Sequence, residues 1–134
     1  MRKLILLPLI LLTVLLLVAC GSNQPGIAIE TAAFDFGHVE NGQIVSRELT
    51  VRNVGNADLV IDSVSTSCSC TEASVAPMTI APGETGTLHI EFDSGAHGPD
   101  LTGELIRQVF VTSNDPTQPE AKVELSVFVD PRSS

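Results

Sequence analysis

The chain has 134 residues, of which 43% are hydrophobic and only five are aromatic, all of them Phe. Sixteen acidic side chains against seven basic ones give a formal net charge of −9. This length allows one domain at most. The acidic balance excludes an ordinary nucleic-acid-binding protein, which needs a basic face to neutralise phosphates.

The first segment, residues 1–19, has the composition of an export signal. Arg2 and Lys3 form a positive start, and an apolar run from Leu4 to Val18 follows. Fifteen residues in a helix extend about 22 Å, which is short of the roughly 30 Å hydrocarbon core of a bilayer. The length therefore favours a signal peptide, with an uncleaved anchor helix as the alternative.

The end of this run, Leu17-Val18-Ala19-Cys20, resembles the lipobox of bacterial lipoprotein signals. The resemblance implies that residues 1–19 are removed and that Cys20 carries lipid as the new amino terminus. Removal takes away two basic residues and no acidic one, so the mature net charge is −11. Residues 20–26 then form the lipidated Cys and a short polar linker. We expect a protein of the bacterial cell envelope, lipid-anchored to the inner or outer membrane and extracytoplasmic.

Residues 27–130 show the period-two alternation of β-strands, most clearly where Leu88, Ile90 and Phe92 alternate with polar neighbours. Turn residues separate the segments, and Ala81-Pro82-Gly83-Glu84 has a type II pattern. The strands are expected at 27–36, 43–54, 58–66, 72–80, 85–93, 104–113 and 120–130. Seven short strands, each with one dry face, predict an all-β, immunoglobulin-like antiparallel sandwich. A short tail, residues 131–134, follows.

Five motifs occur in an order that resembles one protein family. They are Phe34-Asp35-Phe36-Gly37, Val51-x-Asn53-x-Gly55, Ser67-Cys68-Ser69-Cys70-Thr71, Ile80-Ala81-Pro82-Gly83 and Val111-x-Ser113-Asn114-Asp115-Pro116. They are similar to a bacterial domain-of-unknown-function family that is found in secreted proteins and lipoproteins and related to Hydin-type and major-sperm-protein-like domains. The resemblance implies a β-sandwich and no established reaction. Ser69 stands where that family usually has Gly, which disfavours a bend needing positive φ.

Cys68 and Cys70 remain as a pair if Cys20 is lipidated, and three interpretations stay open. They can form a disulfide, although the chain must bend locally to close so small a loop. They can bind Cu(I) or Zn(II) as thiolates, with Met78, His89 or His97 as further ligands, although no spacing is diagnostic. They can also pack as reduced, small apolar groups at a strand end.

The remaining candidates carry less information. His38, His89 and His97 are interpreted as solvated surface residues, and no triad, phosphate loop or calcium loop is recognisable. Phe110 and Phe128 have the parity of the solvent-facing side of their strands. They indicate either a partner surface or cover by a short loop or neighbouring strand of the same domain.

These observations predict a lipid-anchored binding or assembly module rather than an enzyme. We expect protein partners, no cofactor, no nucleic acid and no small-molecule substrate. The alternative is an envelope lipoprotein that handles redox equivalents, copper or zinc through Cys68 and Cys70.

Overall fold

The computed structural model describes residues 21–133, so the predicted signal segment 1–19 and the predicted lipid site Cys20 lie outside the described residues. Within this part, the regular secondary structure is all β. The strands are β1 Ile27–Ile29, β2 Ala33–Glu40, β3 Ile44–Asn53, β4 Leu59–Thr66, β5 Thr71–Ala76, β6 Thr79–Ile80, β7 Thr85–Asp93, β8 Gly103–Ser113 and β9 Glu120–Asp130. Residues 21–133 contain no helix that is long and apolar enough to cross a membrane.

The strands form two sheets that pack face to face. One sheet has the order β1-β3-β7-β5 and the other has the order β2-β9-β8-β4-β6. Neighbouring strands are antiparallel, except that β2 and β9 run parallel. The predicted all-β, immunoglobulin-like sandwich is therefore confirmed.

The predicted count of seven strands is wrong, because two predicted strands each divide and change sheets. The segment 27–36 divides so that β1 pairs with β3, whereas β2 pairs with β9 in the opposite sheet. The segment 72–80 divides at Pro77 and Met78, where β5 leaves β7 and β6 joins β4. Pro77 has no N–H with which to continue a ladder, which suits it to this break.

The interior is aliphatic, with Phe92 as its largest fully buried side chain. The predicted alternation is confirmed in β7, where Leu88, Ile90 and Phe92 all have 0% exposure. A smaller second cluster lies at one end of the sandwich and consists of Val39, Cys70, Phe92, Val127 and Val129. The fold therefore places one of the two paired cysteines in the core.

The connections gather at the two ends of the sandwich. We call one end the cysteine end, because it holds the turn 41–43, the turn 67–70 and the loop 94–102. The other, the amino-terminal end, holds the loop 54–58, the turn 81–84 and the loop 114–119. The linker enters here, since the carbonyl oxygens of Gln24 and Gly26 accept hydrogen bonds from the backbone of Asn56 and Val54.

Asn53, which has 0% exposure, ties the amino-terminal end together. Its Nδ2 donates to the carbonyl oxygens of Ala57 at 2.7 Å and Ile80 at 2.9 Å. Its Oδ1 accepts from the backbone N–H groups of Gly26 at 3.2 Å and Gly55 at 3.0 Å. Both amide hydrogens and both lone-pair sites are thereby used. One side chain joins the linker, the loop 54–58 and the end of β6.

Asp115 fastens the loop 114–119 to the start of β1. Its Oδ2 accepts from Ile27 N at 2.9 Å, and its Oδ1 accepts from Thr117 N at 2.8 Å, Thr117 Oγ1 at 2.8 Å and Gln118 N at 3.1 Å. Burial acts to raise the pKa of the Asp115 carboxyl, but these hydrogen bonds outweigh it and hold the pKa below its ordinary value.

We predict that Asp115→Asn lowers the free energy of unfolding by about 1–3 kcal/mol at pH 7, because the new amide would present a donor to backbone donors. The lowered pKa stabilises the fold fully above the pKa of the unfolded chain, about 3.9, and this contribution is lost as the pH falls through the lower folded value. Urea unfolding at a series of pH values should show that the difference in the free energy of unfolding between the wild type and Asp115→Asn becomes smaller below about pH 4.

The matched control is Asp62→Asn, at an exposed position on β4. It should change the unfolding free energy little. If the difference in unfolding free energy between the wild type and Asp115→Asn stayed constant from pH 7 to pH 3, the role assigned to the carboxylate charge would be contradicted.

Candidate functional site

Cys68, Ser69 and Cys70 form the turn that connects β4 to β5 at the cysteine end. The two sulfur atoms are joined as a disulfide, and the Cα atoms of the two residues are 5.2 Å apart. Two residues in an extended strand would span about 6.6 Å, so the turn shortens the span into the usual range for a disulfide. In residues 21–133, no residue other than Gly has positive φ, so Ser69 accommodates the bend without it.

Hydrogen bonds to two neighbouring strands fix this turn. Ser67 N donates to the Gln108 carbonyl oxygen at 2.9 Å, and Gln108 N donates to Ser67 Oγ at 2.9 Å. On the other side, Asp93 N donates to the Cys70 carbonyl oxygen at 2.9 Å. The turn is therefore attached to β8 in one sheet and to β7 in the other, which holds the cysteine pair between the sheets.

His97, from the loop 94–102, contacts the cysteine pair. Its Nε2 lies 3.2 Å from Cys68 Sγ. The ligand atoms of Cys68, Cys70 and His97 all lie within 4.8 Å of one another. The sequence interpretation of His97 as a solvated loop residue is correct about its exposure. The contact joins residues 29 positions apart and agrees with the alternative in which His97 is a further ligand of the pair.

Asn41 holds the loop that carries His97. Its Nδ2 lies 3.2 Å from the carbonyl oxygen of Ser94, 2.9 Å from that of Gly98 and 3.0 Å from that of Leu101. Ser94 Oγ in turn lies 2.8 Å from the Glu40 carbonyl oxygen. Asn41 is 2% exposed, so these bonds are shielded from water. The position of His97 therefore depends on a buried amide in another turn.

Arg107 approaches the same pair from β8. Its Nε donates to Cys70 Sγ at 3.3 Å, and its Nη1 donates to the Ile106 carbonyl oxygen at 2.8 Å. The sequence reasoning did not select Arg107. A signal was present, because Arg107 shares the parity of Leu105, Val109 and Val111 and is the charged residue on that dry face. A charge on such a face needs a partner, which here is the sulfur of Cys70.

This arrangement has definite chemical consequences for the pair. In the disulfide form, both sulfurs are covalently occupied and the loop closes over one intervening residue. After reduction, the Arg107 guanidinium favours the thiolate form of Cys70, since thiolates are stabilised beside positive charge. Cys70 is 2% exposed, whereas Cys68 is half-buried and provides the accessible sulfur.

The other predicted candidates lie elsewhere. His89 lies on β7 with its Nδ1 3.8 Å from Glu48 Oε1. Met78 lies between β5 and β6 and is 45% exposed. Of the three residues considered as further ligands, the structure brings His97 alone to the cysteine pair.

A second feature, which we call the outer-face patch, consists of His38, Ile106 and Phe128 on the outside of the five-stranded sheet. Phe128 is 42% exposed and Ile106 is 53% exposed. The β8–β9 register pairs Phe128 with Glu104 and Ile106 with Ser126, so the two apolar side chains are diagonal neighbours.

His38 completes the patch from β2. Its ring centroid lies 4.8 Å from that of Phe128, and its Nδ1 lies 3.1 Å from Asp130 Oδ1. The sequence prediction that Phe110 and Phe128 lie on the face opposite their valine neighbours is confirmed, because those valines are buried. Phe128 is exposed on the outer face, whereas Phe110 is half-buried there. The apolar part of the patch is therefore one exposed aromatic ring and one exposed aliphatic side chain.

A family model described as "Protein of unknown function (DUF1573)" matches residues 27–129. The chain belongs to this family. In this DUF1573 domain, Asn53 and Asp115 of the shared motifs hold the amino-terminal end, and the Cys-x-Cys motif forms the turn at the cysteine end. The curated proteins include no match to the chain.

Solved structures resemble this DUF1573 domain in fold. A protein of unknown function from Porphyromonas gingivalis W83 is 21% identical with a TM-score of 0.69, over 82% of this chain and 50% of that one. The ASH/PapD-like domain 7 of human CEP192 is 13% identical with a TM-score of 0.62, over 87% of this chain and 93% of that one. The periplasmic chaperone SfaE is 16% identical with a TM-score of 0.52, over 81% of this chain and 58% of that one.

These likenesses show that the DUF1573 domain shares the sandwich fold of these structures. The chain spans about half the length of the Porphyromonas gingivalis protein. At identities of 10–21%, the likenesses to solved structures establish the fold alone. Fold by itself does not fix function, which depends on the residues of the cysteine end and of the outer-face patch.

We predict that Asn41→Ala releases the loop 94–102 from the sandwich, since the carbonyl oxygens of Ser94, Gly98 and Leu101 lose the amide donor that they share. The free energy of unfolding should fall by about 1–3 kcal/mol. Hydrogen–deuterium exchange followed by mass spectrometry should show faster exchange in peptides that cover this loop.

The control is Asn23→Ala in the exposed linker, which should leave exchange in the loop unchanged. If the loop 94–102 in Asn41→Ala exchanged hydrogen for deuterium as slowly as in the wild type, Asn41 would not be needed to position His97.

Proposed function

We propose that this chain is a protein-binding module held at a bacterial membrane by lipid on Cys20. The observation that carries the binding role is the outer-face patch, where an aromatic and an aliphatic side chain lie exposed on the outside of a sheet. Such exposed apolar groups are typical of contact surfaces for proteins. Likeness in fold to a periplasmic chaperone, SfaE, is consistent with a binding role.

The charge around the patch defines the kind of partner. Glu104 lies opposite Phe128, Asp35 lies opposite Ser126, and Asp130 contacts His38. Three carboxylates therefore surround the apolar centre. A complementary protein surface has an apolar side chain that contacts Phe128 and Ile106, with Lys or Arg at its rim.

We predict that a photoreactive amino acid at Ser126, opposite Ile106 and two residues from Phe128, crosslinks to a partner protein in intact cells. Phe128→Ser combined with Ile106→Ser should reduce the yield of the adduct about tenfold or more, because the apolar centre of the contact is removed. Electrophoresis and mass spectrometry of the adduct would measure this.

Met78→Ser is the matched control, because Met78 is exposed to a similar degree, 45%, at another site. It should leave the adduct yield unchanged. Failure to form any adduct, or an adduct that persists in the double variant, would contradict binding at the outer-face patch.

The proposed anchor gives the domain a direction. The linker 21–26 joins the amino-terminal end, where Gly26 N donates to Asn53 Oδ1 at 3.2 Å. A lipid on Cys20 would therefore hold this end next to the bilayer. The cysteine end would point away from the membrane, and the outer-face patch would lie along the side.

We predict that Cys20→Ser abolishes incorporation of labelled palmitate and prevents cleavage before residue 20, because the thiol is the site of lipid attachment. Gel mobility and radiolabelling in a bacterial host would measure this. The Cys68→Ser/Cys70→Ser variant should incorporate label normally. Equal labelling of Cys20→Ser and the wild type would contradict the proposed anchor.

A second candidate function is thiol redox or soft-metal handling at Cys68 and Cys70. The contact between Cys68 and His97, together with the approach of Arg107 to Cys70, favours it. A cysteine pair with one buried sulfur, placed beside a cation and an imidazole, has a more specific environment than apolar packing requires.

A further inference from the structure

Three ligand atoms of the type that soft metals prefer meet at the cysteine end. They are the sulfurs of Cys68 and Cys70 and the imidazole of His97, all within 4.8 Å of one another. We propose that the reduced Cys68–Cys70 pair and His97 form a three-coordinate Cu(I) site. This inference rests on the second candidate function and is independent of the outer-face patch.

Reduction must precede metal binding, because the sulfurs are joined in the disulfide form. An external dithiol is the reductant. Its two thiols supply two electrons and two protons and become a disulfide, while the Cys68–Cys70 bond breaks to give two thiols. Cu(I) then displaces both thiol protons to water. Copper enters and remains as Cu(I), so no further oxidant or reductant is needed.

The spacing of the ligand atoms suits a trigonal centre. Metal–sulfur bonds of about 2.3 Å and a metal–nitrogen bond of about 2.0 Å at 120° place the sulfurs about 4.0 Å apart and sulfur and nitrogen about 3.7 Å apart. His97 Nε2 already lies 3.2 Å from Cys68 Sγ. The main adjustment is the separation of the two sulfurs on reduction, which Cα atoms 5.2 Å apart allow.

Charge and ligand number favour Cu(I) over Zn(II). Two thiolates with Cu(I) carry a net charge of −1, which the Arg107 guanidinium, 3.3 Å from Cys70 Sγ, offsets. Two thiolates with Zn(II) are neutral and would not offset that positive charge. A structural zinc site also requires four protein ligands, whereas the three soft ligands present here are sufficient for Cu(I).

The surroundings would protect bound Cu(I). Cys70 is 2% exposed and packs in the second core cluster with Phe92 and Val127. This apolar shell excludes water from one side of the site. On the other side, Asn41 fixes the loop that carries His97 through three hydrogen bonds. Two ligands are thus held by the turn 67–70 and the third by an independently anchored loop.

The test is an anaerobic Cu(I) titration of the full chain in detergent, after reduction with a dithiol and its removal, in competition with bicinchoninate. We expect one Cu(I) per chain, and no specific binding in Cys68→Ser/Cys70→Ser, which retains Cys20. His97→Ala should weaken the affinity about tenfold to a hundredfold. X-ray absorption of the loaded protein should show two sulfur ligands and one nitrogen ligand.

His89→Ala is the matched control, because His89 lies on β7 away from the pair, and it should bind Cu(I) as the wild type does. Unchanged affinity in His97→Ala, or tighter binding of Zn(II) than of Cu(I), would overturn the site. Alkylation of a parallel sample separates this inference from the second candidate function. Two reactive thiols that bind no Cu(I) would overturn the copper site and leave a redox role standing.

Discussion

In this sandwich the chain passes repeatedly from one sheet to the other. Backbone N–H and C=O groups in these connections have no partner in a β-ladder, and they can be buried only if they form other hydrogen bonds. In this domain, three buried side chains meet that requirement. Asn53 and Asp115 bond to the backbone of the amino-terminal end, and Asn41 does so at the cysteine end. No buried side-chain nitrogen or oxygen in residues 21–133 lacks a partner. The connections at both ends of the sandwich, including the loop that carries His97, depend on these polar anchors.

The anchors allow a core of aliphatic side chains to suffice. Immunoglobulin domains of antibodies use a buried Trp and a disulfide between the sheets, whereas this sequence has no Trp and its disulfide closes a turn of three residues. The Cys68–Cys70 bond removes little conformational freedom from the unfolded chain, because the loop that it closes is so short. Its position beside His97 and Arg107 is therefore better explained by chemistry than by stability.

The sequence predicted the fold better than it predicted the site. The alternation of apolar and polar residues is a local property, so β7 could be predicted directly from the sequence. The turn at Gly83, which has a φ of 78°, could also be predicted from its own residues. The division of the first predicted strand also left a signal, since the apolar residues change parity between Ile29 and Phe34. The period-two pattern does not show which sheet a strand joins. Two segments that each contain strands of both sheets were therefore predicted as single strands, and the predicted number of strands was too low.

The site was harder to predict because it is assembled from three separate connections. Cys68 meets His97 only after Asn41 has fixed the loop 94–102, and no spacing in the sequence encodes that contact. Arg107 is different, because a charged residue among buried positions of its own strand marks an internal partner. The cysteine motif was thus recognisable, while its ligand and its cation required the tertiary structure.

The parallel pairing of β2 and β9 has a mechanical consequence. The linker 21–26 lies at the amino-terminal end, and the last residues lie at the cysteine end, where Ser133 N donates to Glu40 Oε1 at 2.7 Å. Tension between the two termini therefore acts first on β1, which pairs with β3, and through it pulls β2 along its length in the direction opposite to β9. Such a force loads the hydrogen bonds between β2 and β9 simultaneously, in shear. In a hairpin that is pulled apart at its open end, by contrast, the hydrogen bonds break one after another. A force applied between the two ends of the domain would therefore act against the whole β2–β9 ladder at once.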